Sequence, residues 1–439
     1  MLNLSFSPDR NGLLADRSNY MNVLLRLSAP EKPDRIVERK PLNLSIVIDR
    51  SGSMSGKPLS EAVRCASMIV DRASSKDRLS IVSYDNEIRI DVPSQKVENK
   101  SLFKTALQAI HEGGTTDLHG GWLAGAEQLA MHLKKSEITR VLLLSDGNAN
   151  AGVTDLNRIV RHCGTMADEG VETSTYGLGD AFNEHLMTEM ARAGHGNSYY
   201  GQTADDLMDP FQEEFDLLSA ISVKKVRLQL VPKSGITVKQ KNGYRLDSSG
   251  NFILPDVAFG SEAWTLIKIS VPKELLELNK RSIHVLTALV SFEDQNGVHH
   301  ESFAELHLNI LPQSAFNALE VDPVVRSRDS ELRAARYQEI ARDAARRGDW
   351  ERVDRLLKRI RDEAVHNPWL KATIAELERY ASRREVQSFS KEAFYKSQKM
   401  RTRLSSLDES VSYSLSVESF KPSFLRRKIE EGKKFDGNN

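Results

Sequence analysis

The chain has 439 residues, 40% hydrophobic and 28% charged, a length that implies two to four packed units and a composition that excludes a wholly disordered, collagen-like or disulfide-dense protein. Its 61 basic and 61 acidic residues cancel, but unevenly: the net charge is −8 over residues 1–325, +8 over 326–404 and zero over 405–439, so no global field draws it to nucleic acid or anionic lipid. Cys65 and Cys163 have no C-x-x-C spacing and no third partner for a metal; with no signal peptide in MLNLSFSPDRNGLL and no apolar run of about 18 residues, the expected location is the cytosol, with no membrane span.

Residues 1–8 and 19–29 are strand-like. Residues 42–49 (LNLSIVID) form an apolar run with both faces hydrophobic, the pattern of a buried parallel strand. Residues 58–73 supply the following helix, with Leu59, Ala62, Val63, Ala66, Ile69 and Val70 at helical spacing. The alternation continues with strand 79–84, an edge-like strand near 87–92, helices 101–110 and 119–135, strand 140–145, helix 155–168, strand 171–178, helix 183–193, a short strand at 197–200 and helix 203–219. Strands alternating with helices of this length predict a doubly wound α/β domain over 39–220, which binds ligands beyond the carboxyl ends of its strands.

From about Ser222 the pattern changes to strands at 223–231, 264–271, 283–292 and 298–310. Asp294-Gln295-Asn296-Gly297 predicts a type I′ hairpin turn. An antiparallel β-sandwich over 221–325 is expected, completed by the N-terminal strands of residues 1–38, so that the α/β domain is inserted into it. Residues 326–404 read as a helical region of three or four helices. Its clearest member runs from Asp349 to Ala364, where Trp350, Val353, Leu356, Leu357 and Ile360 make one apolar stripe; Gly348 ends the preceding helix and Asp349 caps this one. The tail, 405–439, is rich in Ser and then in Lys and Arg and is expected to be disordered.

Three loops concentrate oxygen ligands. Asp49-Arg50-Ser51-Gly52-Ser53 follows the first buried strand, with three oxygen-bearing side chains at alternate positions. Gly113-Gly114-Thr115-Thr116-Asp117 is a glycine-loosened hydroxyl loop, and Ser145-Asp146-Gly147 ends another parallel strand. Their natural occupant is a hard divalent cation: Mg²⁺ accepts six oxygens and keeps several waters, with Mn²⁺ and Ca²⁺ as alternatives. Because Ser51, Ser53 and Thr116 are neutral and only Asp49 and Asp146 are charged, a bound ion keeps electrophilic character and favours an external carboxylate as its last ligand.

D-x-S-x-S, the Gly-Gly-Thr-Thr-Asp loop and Ser-Asp-Gly, in this order over roughly residues 40–220, resemble the complete metal-ion-dependent adhesion site of von Willebrand factor A (VWA) domains. The resemblance implies a Rossmann-like VWA domain that is not an enzyme, in which Ser51, Ser53 and Thr116 contact the ion while Asp49 and Asp146 hold it directly or through water. Thr116 is preferred to Thr115 because the family threonine usually precedes Asn or Asp. The whole architecture is similar to bacterial cytosolic VWA proteins often labelled as homologues of calcium-activated chloride channel regulators, although the zinc protease of the extracellular relatives needs H-E-x-x-H, which is absent here.

Competing motifs fail on spacing. Ser51 to Pro58 has three residues between its glycines and Pro after Lys57, where a P-loop needs four and a hydroxyl. Gly177-Leu178-Gly179-Asp180 lacks the third glycine of a dinucleotide fingerprint, and no G-x-S-x-G occurs. His299-His300 reads as a solvated strand end without a carboxylate at ligand spacing, and His111 and His119 as neighbours of the Thr116 loop. The expected function is therefore metal-dependent protein–protein interaction: a scaffold or adaptor that takes an Asp or Glu of a partner protein onto the ion. The alternative is an adaptor subunit of a MoxR- or magnesium-chelatase-type AAA+ ATPase. RNA binding through the basic helices is weaker, since charged outer faces of amphipathic helices account for the same residues.

Overall fold

The computed structural model describes residues 2–31, 40–134, 136–178, 183–201, 207, 214, 217–218, 220–276, 281–365, 367–402 and 404–406. Most of the helix expected at 203–219, Gly179-Asp180 and the tail from residue 407 lie outside the described residues. The chain divides into two compact units, Val37–Ser219 and a second assembled from Met1–Ile36 and Ala220–Asn439.

The chain opens with β1 (Asn3–Pro8), β2 (Leu13–Leu14) and β3 (Asn19–Ser28), and the Val37–Ser219 unit follows. There β4 (Leu42–Asp49), α1 (Lys57–Arg72), β5 (Arg78–Tyr84), β6 (Ile88–Lys96), α2 (Lys100–Gln108), α3 (Leu118–Ala130), β7 (Ile138–Ser145), α4 (Leu156–Asp168), β8 (Glu172–Leu178), α5 (Glu184–Ala193) and β9 (His195–Gly201) form a six-stranded sheet in the order β6-β5-β4-β7-β8-β9. All neighbours are parallel except β6, which returns antiparallel on β5. Every residue of β4 and β7 is buried, because helices cover both faces. Ile48 stands opposite Leu144 and Asp49 opposite Tyr84, so the ends of β4, β5 and β7 emerge together at one edge.

In the second unit, β10 (Ile221–Pro232), β11 (Thr237–Gln240), β12 (Phe252–Ile253), β13 (Val257–Ala258), β14 (Ser261–Val271), β15 (Ser282–Asp294) and β16 (His299–Leu311) are followed by helices α6 (Gln313–Asn317), α7 (Pro323–Arg346), α8 (Trp350–Ala364), α9 (Pro368–Ser382) and α10 (Val386–Thr402), and by β17 (Ser405–Ser406). One sheet runs β1-β3-β14-β11 with β17 beside β14; the other runs β12-β10-β15-β16-β2 with β13 beside β10. Helix α7 covers the first sheet through Val325 and Leu332 against Leu24, Trp264 and Leu266. Its Arg328 lies 4.9 Å over the Trp264 ring and 3.1 Å from Glu331, and reaches Glu262, which also holds Arg26 at 2.8 Å.

Several local expectations are corrected. The helical region starts at Pro323, where Asp322 accepts from the N–H groups of Val324 and Val325, and is preceded by α6. The 294–297 turn is not type I′: Gly297 has φ +76° but Asn296 is not among the residues with positive φ, so the left-handed twist is carried by glycine alone, as in a turn followed by a bulge. His300 is not without a carboxylate, since its Nε2 lies 3.0 Å from Asp294 Oδ2 across that turn. β2 pairs parallel with β16 in a region expected to be antiparallel. Ser405 and Ser406 are not disordered: they pair with Glu262 and Ser261, and the Ser405 hydroxyl donates to Glu262 Oε1 at 3.0 Å.

Candidate metal site

The three oxygen-rich loops meet at the carboxyl edge of the parallel sheet. Asp49 closes β4 fully buried. Its Oδ1 accepts from the Ser51 N–H at 2.9 Å and its Oδ2 from the Ser145 hydroxyl at 2.6 Å. The Ser145 hydroxyl accepts in turn from Gly147 N–H at 2.8 Å, so one serine ties the ends of β4 and β7 together. After Asp49 a short 3₁₀ turn, Gly52–Met54, carries Ser53 back over Ser51, with the two hydroxyls 3.2 Å apart. Ser51 is buried and Ser53 is exposed, which leaves the hydroxyl pair open to solvent on one side.

Arg50 and Asp85 hold the Thr116 loop. The Arg50 Nη2 group meets Asp85 Oδ1 at 2.8 Å, both side chains being nearly inaccessible. Asp85 Oδ2 accepts from Gly114 N–H at 2.9 Å, and Gly113 N–H donates to Arg50 O at 2.7 Å while Gly52 N–H donates to Gly114 O at 2.9 Å. Burial works against the Asp85 charge, but the N–H groups of Glu87 and Gly114 and the guanidinium together hold its carboxyl below the usual range. A Cβ on Gly113 would lie 1.7 Å from Asp85 Oδ2, so this loop approaches as closely as only glycine permits.

The loop after β7 closes the third side. Thr116 is buried and Thr115 exposed; Thr116 N–H donates to Asn150 Oδ1 at 2.7 Å, and Thr116 O accepts from the N–H groups of Asn150 and Ala151 at 3.1 and 3.0 Å. Asp146 is buried, its Oδ1 accepting from Asn148 N–H at 3.1 Å and its carbonyl from Asn183 N–H at 3.0 Å. Gly147 sits at φ +70° with Met187 and Asn183 against it, so a side chain there is both strained and crowded. Asp117, directly after Thr116, caps α3 by accepting from Gly120 N–H.

The electrostatics of this edge favour a cation. Desolvation raises the Asp49 carboxyl to about 6 despite the donors from Ser145 and Ser51, and the neighbouring Asp146 charge pushes the same way. Among the described residues no Lys or Arg pairs with Asp49 or Asp146. Two buried carboxylates without a counter-charge, beside a paired set of hydroxyls, fit a hard divalent ion. No three His, Cys, Asp or Glu side chains gather into a metal cage among the described residues, so only a hydroxyl-dominated ligand set is available here.

All five oxygen-bearing residues singled out from the sequence therefore lie on three loops joined by direct hydrogen bonds. The supporting roles of Arg50, Asp85, Ser145 and Asn150 were missed: Ser145 bonds to Asp49 and Asn150 to the Thr116 N–H, while Arg50 and Asp85 pair with each other and Asp85 holds the Gly114 N–H. These are contacts between loops, which a pattern of alternate positions within one loop does not display. His119 is on α3 three residues past Thr116 and turns away to His162, Nε2 to Nδ1 at 2.8 Å, where burial first and His162 second lower its pKa. His111 is exposed.

Residues 43–213 match the family model of the von Willebrand factor type A domain. This segment is a VWA domain. The chain is 27% identical over 216 residues to the uncharacterized protein sll0103 of Synechocystis sp., covering 49% of this chain and 51% of that protein. It is 28% identical over 214 residues to the uncharacterized protein YfbK of Escherichia coli, covering 48% and 37%, so the match spans about half or less of the length of these relatives. The inter-alpha-trypsin inhibitor heavy chain H3 of Homo sapiens is 23% identical over 49% of this chain and 25% of its own. Among solved structures, a von Willebrand factor type A protein from Catenulispora acidiphila aligns with TM-score 0.66 at 19% identity over 84% of this chain and 89% of its own. The ArnB paralog VWA2 from Sulfolobus acidocaldarius aligns with TM-score 0.58 at 17% identity over 91% and 98%. These two likenesses concern the fold and extend well beyond the VWA domain. No helix among the described residues is long and apolar enough to cross a membrane.

Proposed function

We propose that the VWA domain binds a divalent cation, Mg²⁺ in the first instance, through Asp49, Ser51, Ser53, Thr116 and Asp146, and through that ion an Asp or Glu side chain of a partner protein. The observation that carries the reading is the fully buried Asp49 carboxylate, which receives only neutral donors while its burial raises its pKa to about 6. When bound, the ion supplies a Lewis-acidic centre for a carboxylate oxygen. The protein's own residues do the rest: Asp49 and Asp146 provide the charge, Ser51 and Ser53 offer neutral oxygens, and Arg50, Asp85 and Asn150 hold the loops in place.

In this reading the site holds a partner's side chain and does not turn over a substrate. A lone carboxylate on a hydrated ion is a modest contact, so the partner's flanking surface supplies most of the affinity, and the chain acts as a scaffold or adaptor. Calorimetric titration with MgCl₂, MnCl₂ and CaCl₂ tests the ion: saturable binding in the wild type and its loss in Asp49→Ala are expected, and equal binding by both proteins overturns the reading. Retention of a partner with Mg²⁺ but not with EDTA tests the second half.

A further inference from the structure

A pocket of about 300 Å³ opens beside the metal site, lined by Asn148, Ala149, Asn150, Thr154, Leu156, Asn183, His185 and Leu186. Its walls are bonded to two of the proposed ligands: Asn148 and Asn183 donate backbone N–H groups to Asp146, and Asn150 accepts from Thr116 N–H. Whatever occupies the pocket therefore lies within one side chain's reach of the ion.

The lining has a fixed polarity. Asn150 Oδ1 faces Thr116 N–H and Asn183 Oδ1 faces Leu186 N–H as the cap of α5. A backbone N–H only donates, so both amides must present oxygen to it, and the orientation of each is settled by chemistry. Each Nδ2 group is left as a donor, and both asparagines line the pocket together with Thr154 and His185. The floor, Leu156 and Leu186, offers apolar contact for a short aliphatic stem.

We propose that this pocket receives a second hydrogen-bond-accepting side chain, a carboxylate or side-chain amide, from the same partner segment whose acid completes the ion's shell. The inference rests on the metal-dependent reading above and adds to it a sequence requirement: the partner presents an acidic residue with Glu, Asp, Gln or Asn close by.

The test uses the full chain in MgCl₂ on an array of synthetic peptides with a fixed central Asp among glycines and each of the twenty residues at positions from −3 to +3. Expected is about tenfold stronger retention, at one or two positions, of Glu, Asp, Gln or Asn over Ala and Lys; the relative rank of Glu against Gln separates carboxylate from amide. Asn183→Asp keeps the capping oxygen but replaces the donor with a charged acceptor, so the preference should invert toward Lys and Arg while calorimetric Mg²⁺ binding persists. Even retention of all Asp peptides, dependent on Mg²⁺ but indifferent to the neighbouring residue, overturns the pocket and leaves the metal reading standing. So does an unchanged preference in Asn183→Asp. Loss of Mg²⁺ dependence across the array overturns both.

Discussion

Burial pushes the Asp49 carboxyl up to about 6, against 3.8 in an exposed chain. In the metal-free protein folding therefore takes up a proton between these values, and stability falls as pH rises from about 4 to about 6. Asp49→Asn removes this penalty, so with EDTA at pH 7 the variant should be more stable than the wild type by about 1–3 kcal/mol, and the difference should vanish below about pH 4; urea unfolding across that range checks it. Proton and cation compete for the same oxygens, so wild-type Mg²⁺ affinity should drop as pH falls through about 6. Arg50 makes the opposite kind of prediction. Arg50→Met leaves Asp85 buried without its partner and should cost about 3–5 kcal/mol, recovered in part by adding Asp85→Asn. In the sequence Arg50 is a spacer between Asp49 and Ser51. Its role depends on a residue 35 positions away, which no local pattern displays, whereas the three oxygen-rich loops, which the structure joins by direct hydrogen bonds, were legible because each concentrates its hydroxyls and carboxylates within a few positions.

At the level of elements, the loops are built to tolerances that glycine sets. Gly113→Ala places a methyl on Asp85, and should lower stability by more than about 2 kcal/mol together with Mg²⁺ affinity, measured by urea unfolding and calorimetry. The buried parallel strands were readable because β4 and β7 are apolar on both faces, a pattern imposed by helices on either side. Elements without a periodic signature were not. β2, β12 and β13 are two residues each, too short for alternation, and β17 is a pair of serines held by Glu262 instead of by apolar burial. The type I′ expectation failed because Asn-Gly is compatible with several turns, and the sequence does not say whether Asn296 joins Gly297 at positive φ.

The whole molecule contains two compact units, one of them made from both ends of the chain. Scanning calorimetry should reveal their separate identities: Mg²⁺ is expected to raise the unfolding temperature of residues 37–219 alone, while Arg328→Met, which strips a charge from between buried Glu262 and Glu331, should lower only the other transition. The pairing of β3 with β14, Leu24 opposite Leu266, has a consequence for synthesis. As the chain leaves the ribosome, the parallel sheet can be complete while β1 and β3 still wait for a neighbour encoded more than 200 residues downstream. Closing so long a loop is slow, and until it closes the hairpin of β1 and β3 exposes Val23, Leu25 and Leu27, all fully buried in the finished protein. Nascent chains stalled before Ser261 should therefore be the form most prone to aggregate and most in need of a chaperone.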